Sequence, residues 1–161
     1  MKIPILTLQK IRMDGTINFS ELYTHMKNWL EDMGYANEKT IENKYIERVK
    51  DGKKQIEIAW HGEKKISEFF IYNIDTYILV LAMSDVEVQQ EDRKVKLQKG
   101  SFEIRISSHI TSTSRWDELK GFQRIYMNLF IRKRIDVYIE ELYKKSTSFH
   151  SYIKSLLGLR D

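Results

Sequence analysis

The chain has 161 residues, enough for one domain with an ordinary core, and its apolar fraction of 42% argues against disorder. It contains no cysteine, which excludes disulfides, thiolate metal sites, cysteine nucleophiles and iron–sulfur clusters. A formal net charge of +4 is mildly basic and by itself selects no class of partner.

One proline, Pro4, and seven glycines leave little material for long loops, and abundant Ile and Tyr favour a sheet. Residues 3–12 alternate loosely through Ile3, Ile5, Leu6, Leu8 and Ile11 and predict a first strand, with Asp14-Gly15 as a turn signal. A helix follows. Asn18 and Glu21 have capping-box spacing, Leu22, Met26, Trp29, Leu30 and Met33 share one face, and Gly34 is a left-handed stop. Residues 41–60 read as a hairpin about Lys50-Asp51-Gly52-Lys53, because Asp-Gly suits a turn whose two central residues have positive φ. His61 to Lys65 is a second turn signal, and a strand apolar on both faces runs from about Glu68 to Met83. Ser84-Asp85 is expected to break that run before a further strand through Val86 and Val88. Gln90 to Arg93 turns the chain, and Ser101 to Thr111 alternates with Phe102, Ile104, Ile106 and Ile110 inward.

After a polar link at Ser112–Arg115, with Ser114 and Asp117 as a second capping-box pair, residues 117–157 read as helix throughout. Forty helical residues would extend about 60 Å, whereas a compact chain of this length has a radius of gyration of about 15 Å. The helix must therefore break, with Lys145-Ser146-Thr147-Ser148 the expected place, or project onto a partner. The expectation is an α+β fold: an antiparallel meander sheet of about five to six strands, one N-terminal helix, and a long, possibly broken, C-terminal helix. A β-α-β(meander) core would span residues 1–116 and the helical segment 117–161, within a single domain. No secretory core follows Met1. The longest apolar run, Phe69 to Met83, contains Asn73 and Asp75 and is too short to cross a bilayer as a helix. No membrane span and a cytoplasmic location are expected.

Catalytic motifs are missing. His25, His61, His109 and His150 have no metal-ligand spacing, and no phosphate loop or nucleophile elbow occurs, so neither a metal nor a cofactor is expected. Asp75 is the one acid inside the apolar strand. It is either a cavity acid or the partner of a basic residue on the C-terminal helix, or it occupies an exposed edge. Arg132-Lys133-Arg134 is the densest basic cluster, but Asp136, Glu140 and Glu141 follow it. Glu140 and Glu141 stand four residues before Lys144 and Lys145, as in ordinary helix ion pairs.

The C-terminal segment carries two apolar seams. One runs Ile125, Ile135, Tyr138, Ile139, Leu142, Phe149, Ile153, Leu156, with Ile135 to Leu156 as the candidate interface residues; the other runs Leu119, Phe122, Tyr126, Leu129, Phe130. Together they wrap more of the helix than one small sheet covers, and the first seam is the candidate interface. Three functional readings follow, in this order. The first is a non-enzymatic assembly subunit making homo-oligomeric or higher-order contacts through this helix. The second is a binder of an apolar small molecule. The element order of strand, helix, meander and long helix resembles helix-grip (START-like) domains, which implies a ligand chamber under the last helix; those domains usually place two short helices after the first strand, and here there is one. The third is an RNA-, DNA- or ribosome-associated module using Arg132, Lys133 and Arg134.

Overall fold

The computed structural model describes residues 1–35 and 41–159, so the last two residues of the segment 117–161 lie outside the described residues. The elements in chain order are β1 (Lys2–Ile17), α1 (Phe19–Asp32), β2 (Glu42–Lys50), β3 (Lys53–Lys65), β4 (Phe70–Gln90), β5 (Arg93–Ser112), α2 (Ser114–Asp117) and α3 (Phe122–Leu156). The strands form one antiparallel sheet in the order β1-β5-β4-β3-β2. Strands β2 to β5 are the meander, and β1 closes the far edge beside β5. The protein is α+β, as its hydrophobic periodicity implies.

Several expected breaks are absent because the ladder carries the chain through them. Asp14-Gly15 stays extended, with Gly15 opposite Gly100. His61 to Lys65 continues β3 against Ile71–Asp75 of β4. At Ser84 the strand does not end. A β-bulge between Leu81 and Ser84, with Ala82 at φ 53°, absorbs the irregularity, and β4 continues to Gln90. The sheet therefore has five long strands. The Asp51-Gly52 turn forms as expected, with φ of 53° and 75°.

One face of the sheet is the core. Ile56, Ile58 and Trp60 of β3, Phe70, Tyr72, Ile74, Ile78 and Val80 of β4, and Phe102, Ile104, Ile106 and Ile110 of β5 are all buried. Both long helices lie on this face. Helix α1 buries Leu22, Met26 and Leu30 of the stripe read from its sequence and half-buries Trp29 and Met33, and it adds Phe19 to the core. Its N-terminus is held by two side chains. Asn18 Oδ1 accepts from the Glu21 N–H at 3.2 Å, and Gln98 Oε1 of β5 accepts from the Phe19 N–H at 2.9 Å. Glu42 at the start of β2 accepts from Tyr23 Oη at 2.7 Å and Trp60 Nε1 at 3.2 Å, tying α1 to the hairpin.

Helix α3 has 35 residues and a length of about 52 Å. It does not break at Lys145–Ser148. Ser146 and Thr147 point their hydroxyls back at the carbonyls of Leu142 (2.6 Å) and Tyr143 (2.9 Å), a local bond that keeps Ser and Thr within a helix. The break falls earlier. Thr113 rather than Ser114 is the N-cap of α2, and Gly121, at φ 60° and ψ −131°, separates α2 from α3. Those angles are open almost only to glycine.

Candidate interaction surface

Helix α3 divides into two halves with opposite surroundings. In the C-terminal half, Leu142, Phe149 and Ile153 are fully buried, and Ile135, Tyr138, Ile139 and Leu156 are half-buried against the same core. Phe149 stacks on Trp29 of α1 at 4.5 Å, and Tyr138 packs beside Phe70 and Tyr72 of β4. Ser146 shares a 2.7 Å hydrogen bond with Ser108 of β5, both side chains being out of solvent. Tyr72 Oη donates to Glu141 at 2.8 Å, and burial together with this bond pushes the phenol pKa far above its usual value. The seam expected at an interface thus lies on the chain's own sheet. The cause is strand length: β4 and β5 have 21 and 20 residues, so the sheet covers more helix than short strands would.

The other seam is bare beyond Leu119, which is half-buried against the core, and Ile125 of the first seam is exposed beside it. Phe122 is 92% exposed, Ile125 61%, Tyr126 69%, Leu129 61% and Phe130 47%. At about 100° per residue these five side chains occupy an arc of roughly 140°. They lie on the side of the helix opposite Ile131, the residue of this half that is buried. The contiguous apolar surface they present is on the order of 700 Å², at the upper end of what a monomer leaves in water. The segment carrying it is held in place. Trp116 of α2 is buried against Phe69 and Phe70, Thr113 Oγ1 donates to the Glu68 carbonyl at 2.6 Å, and Arg124 reaches back from α3 to donate to the Trp116 carbonyl at 3.2 Å while lying over its indole. Helix α3 therefore starts from an anchored turn.

Charge frames this surface. Residues 120–134 contain Lys120, Arg124, Arg132, Lys133 and Arg134 and no acid. Arg132, Lys133 and Arg134 are exposed and form no ion pair among the described residues; Arg134 lies over the Phe130 ring at 4.9 Å. Of the two helix ion pairs expected nearby, Glu140–Lys144 forms at 2.8 Å. Glu141 instead accepts from Tyr72, and Lys145 points to Met33 Sδ. Beside the apolar stripe, Phe69, Phe70, Met127, Phe130, Ile131, Arg134 and Tyr138 line an open groove of about 190 Å³.

Asp75 is on the other face of the sheet. Its side chain is 39% exposed and touches no residue of α3. It accepts from His61 Nδ1 at 2.5 Å and lies 3.5 Å from His109 Nδ1, while His61 Nε2 is 2.9 Å from Glu63. Strand alternation places His61, Asp75 and His109 on one face of three adjacent strands, so the acid is paired to histidines across the sheet rather than to a helix cation. Burial alone would depress the His61 pKa, but the hydrogen bonds from Asp75 and Glu63 carry it above the ordinary value. For His109 burial prevails over the pull of Asp75, and its pKa falls. Among the described residues no group of three or more His, Asp or Glu is disposed to hold a metal ion. No helix is long and apolar enough to cross a membrane.

Between α3 and the sheet, the space where a helix-grip domain would keep its ligand is occupied by Leu142, Phe149 and Ile153 from the helix and by Phe102, Ile104 and Ile106 from the sheet, all buried. The grooves that reach this layer open to solvent. One is at Tyr35, Lys64, Tyr72 and Lys145, and another at Ile17, Leu22, His25 and Leu157.

The class these features define is an α+β protein with one five-stranded antiparallel sheet, both long helices on one face, and an apolar helical stripe left uncovered. No protein-family model and no curated protein matches the sequence.

Proposed function

We propose that the protein is a non-enzymatic assembly subunit that makes homo-oligomeric or higher-order protein contacts through the N-terminal half of α3. One observation carries this reading: five large apolar side chains, Phe122, Ile125, Tyr126, Leu129 and Phe130, stand in water on an anchored helix, opposite its buried side. Leaving about 700 Å² of apolar surface hydrated forgoes roughly 17 kcal/mol of gross burial energy at 25 cal/mol per Å². The area also approaches the ~800 Å² per partner of an ordinary stable interface. The filled layer under α3 supports assembly over the carriage of an apolar small molecule.

The measurement is molar mass by light scattering across a concentration series, for the wild-type chain and for Leu129→Glu. The reading requires self-association of the wild type and its loss in the variant, with helix content unchanged. A wild type that stays monomeric at tens of micromolar overturns it.

A second reading, an RNA- or DNA-associated module, draws on the acid-free run of five cations from Lys120 to Arg134. It requires affinity for nucleic acid that falls steeply with salt in logarithmic form, and loss of that affinity in Arg132→Ala/Arg134→Ala.

A further inference from the structure

We infer that the occupant of the α3 stripe is the same stripe of a second copy, lying antiparallel about a two-fold axis near Tyr126. The inference rests on the assembly reading above and adds to it the partner and its direction.

Three observations support the pairing, and the first two give its direction. The first is the distribution of unmatched charge. At one end of the stripe stand Arg132, Lys133 and Arg134, with no carboxylate partner among the described residues. At the other end the exposed Asp117, which takes only a 3.3 Å bond from Ser112, and Glu118, for which no side-chain partner is found among the described residues, stand between two cations, Arg115, which pairs with Glu68 at 3.4 Å, and the exposed Lys120. A parallel pair would set three cations against three cations. An antiparallel pair sets each basic end against a turn that holds both signs, with Arg134 opposite Glu118 and Arg132 opposite Lys120, and so avoids the like-charge stacking of a parallel pair; an isologous interface must be self-complementary in this way.

The second is a knob and a hole at matching distances from the axis. Pairing about residue 126 brings Phe122 of one copy to Phe130 of the other. Phe122 is the most exposed of the chain's large apolar residues. Phe130 lines the 190 Å³ groove with Phe69, Met127, Ile131 and Arg134, and an apolar site of about 150 Å³ accepts a benzene ring.

The third is area. The stripe alone supplies on the order of 700 Å² per copy, and filling two grooves with two phenyl rings brings it to the size of a standard interface. An anionic lipid surface would use the cations but would meet Asp117 and Glu118 at the leading end of the same stripe.

The absence of cysteine makes the test direct. Single-cysteine variants F122C, Y126C and F130C are treated with a short bismaleimide. Y126C is expected to cross-link to itself. F122C and F130C are each expected to cross-link poorly alone and efficiently when mixed. As a second arm, R134E and E118R should each weaken dimerisation, and R134E/E118R should recover it; Phe122→Ala should weaken it by about 30-fold, as for a buried aromatic anchor.

F122C that cross-links to itself as fast as it does to F130C overturns the antiparallel pairing. If Leu129→Glu still abolishes self-association in that case, the assembly reading stands without this geometry. Self-association unaffected by Leu129→Glu overturns both. So does a monomer that binds anionic vesicles or RNA through the stripe.

Discussion

The two halves of α3 are both rich in large apolar residues and have opposite fates. Residues 135–156 put Tyr138, Leu142, Phe149 and Ile153 onto a sheet whose strands are long enough to receive them. Residues 122–130 put Phe122, Ile125, Tyr126, Leu129 and Phe130 into solvent. The helix does not differ between the halves; what faces it does. Beneath the C-terminal half lie β5, β4 and α1, with Ser108, Tyr72 and Trp29 each meeting a residue of α3. The N-terminal half meets Trp116 through Arg124 and lies beside Phe69 and Phe70, and it buries Ile131. An apolar side chain contributes to stability only where another surface removes it from water. One half of the helix therefore stabilises the protomer, while the other leaves its apolar area in water.

Truncation separates these roles most sharply. Phe149→Ala removes a fully buried ring stacked on Trp29 and should destabilise the protomer by about 3–5 kcal/mol, read as a lowered midpoint in denaturant unfolding. A loss under 1 kcal/mol would mean that this half is not the core it resembles. Next in size, Gly121→Ala puts a Cβ on a backbone at φ 60° and ψ −131° and should cost about 1–3 kcal/mol. It should also lower self-association, because the turn that aims the exposed stripe is the part that must shift. Ser146→Ala leaves the buried Ser108 hydroxyl without its partner and should cost about 1–3 kcal/mol, a polar counterpart of the Phe149 change within the same half. By contrast, Phe122→Ala and Leu129→Ala in the exposed half should alter protomer stability by no more than about 0.5 kcal/mol while changing molar mass in solution. A large unfolding effect from either would show that the stripe is covered within the protomer.

The smallest effect concerns the open sheet face, away from both halves, and serves as a control on electrostatics. His61 has a raised pKa, so its contribution to stability is complete below the unfolded value near 6.5 and fades as pH rises through the folded one. His109 has a lowered pKa. Its contribution is complete above the unfolded value and fades as pH falls through the folded one. The two terms oppose each other near neutral pH, and net stability there should change little. In an NMR titration the His61 ring should titrate at higher pH than His109, and Asp75→Asn should bring the two together. Self-association should be unaffected by that substitution.

Much of this fold was legible in the residues. The Asn18 cap, the stripe of α1, the Asp51-Gly52 turn and the inward set Phe102, Ile104, Ile106 and Ile110 were all readable, because each follows from a local rule of spacing or backbone angle. Turn signals misled at Asp14, His61 and Ser84. A polar pair or a glycine permits a turn, but the pairing of Gly15 with Gly100 and the bulge at Ala82 kept the strands going. The C-terminal helix was expected to break at Ser146. That residue stays within the helix because its hydroxyl bonds back to the Leu142 carbonyl, and Ser108, from a strand 38 positions earlier, meets the same hydroxyl out of solvent.

The candidate surface was half legible. Both apolar seams of the last helix could be written down from periodicity, and the excess of apolar area over one sheet's capacity could be inferred. Which seam would be covered could not. Periodicity gives the angle at which a side chain leaves its own helix and carries no information about where the sheet ends. Likewise the pairing of Asp75 with His61 and His109 depends on the register of β3, β4 and β5. The sequence by itself determined the kinds of element, their order and the presence of surplus apolar surface, because these are set by neighbours within a few residues. Only the tertiary structure decided that Leu142 is inside and Leu129 outside, because burial is a property of the second surface, and that surface is made by distant parts of the chain.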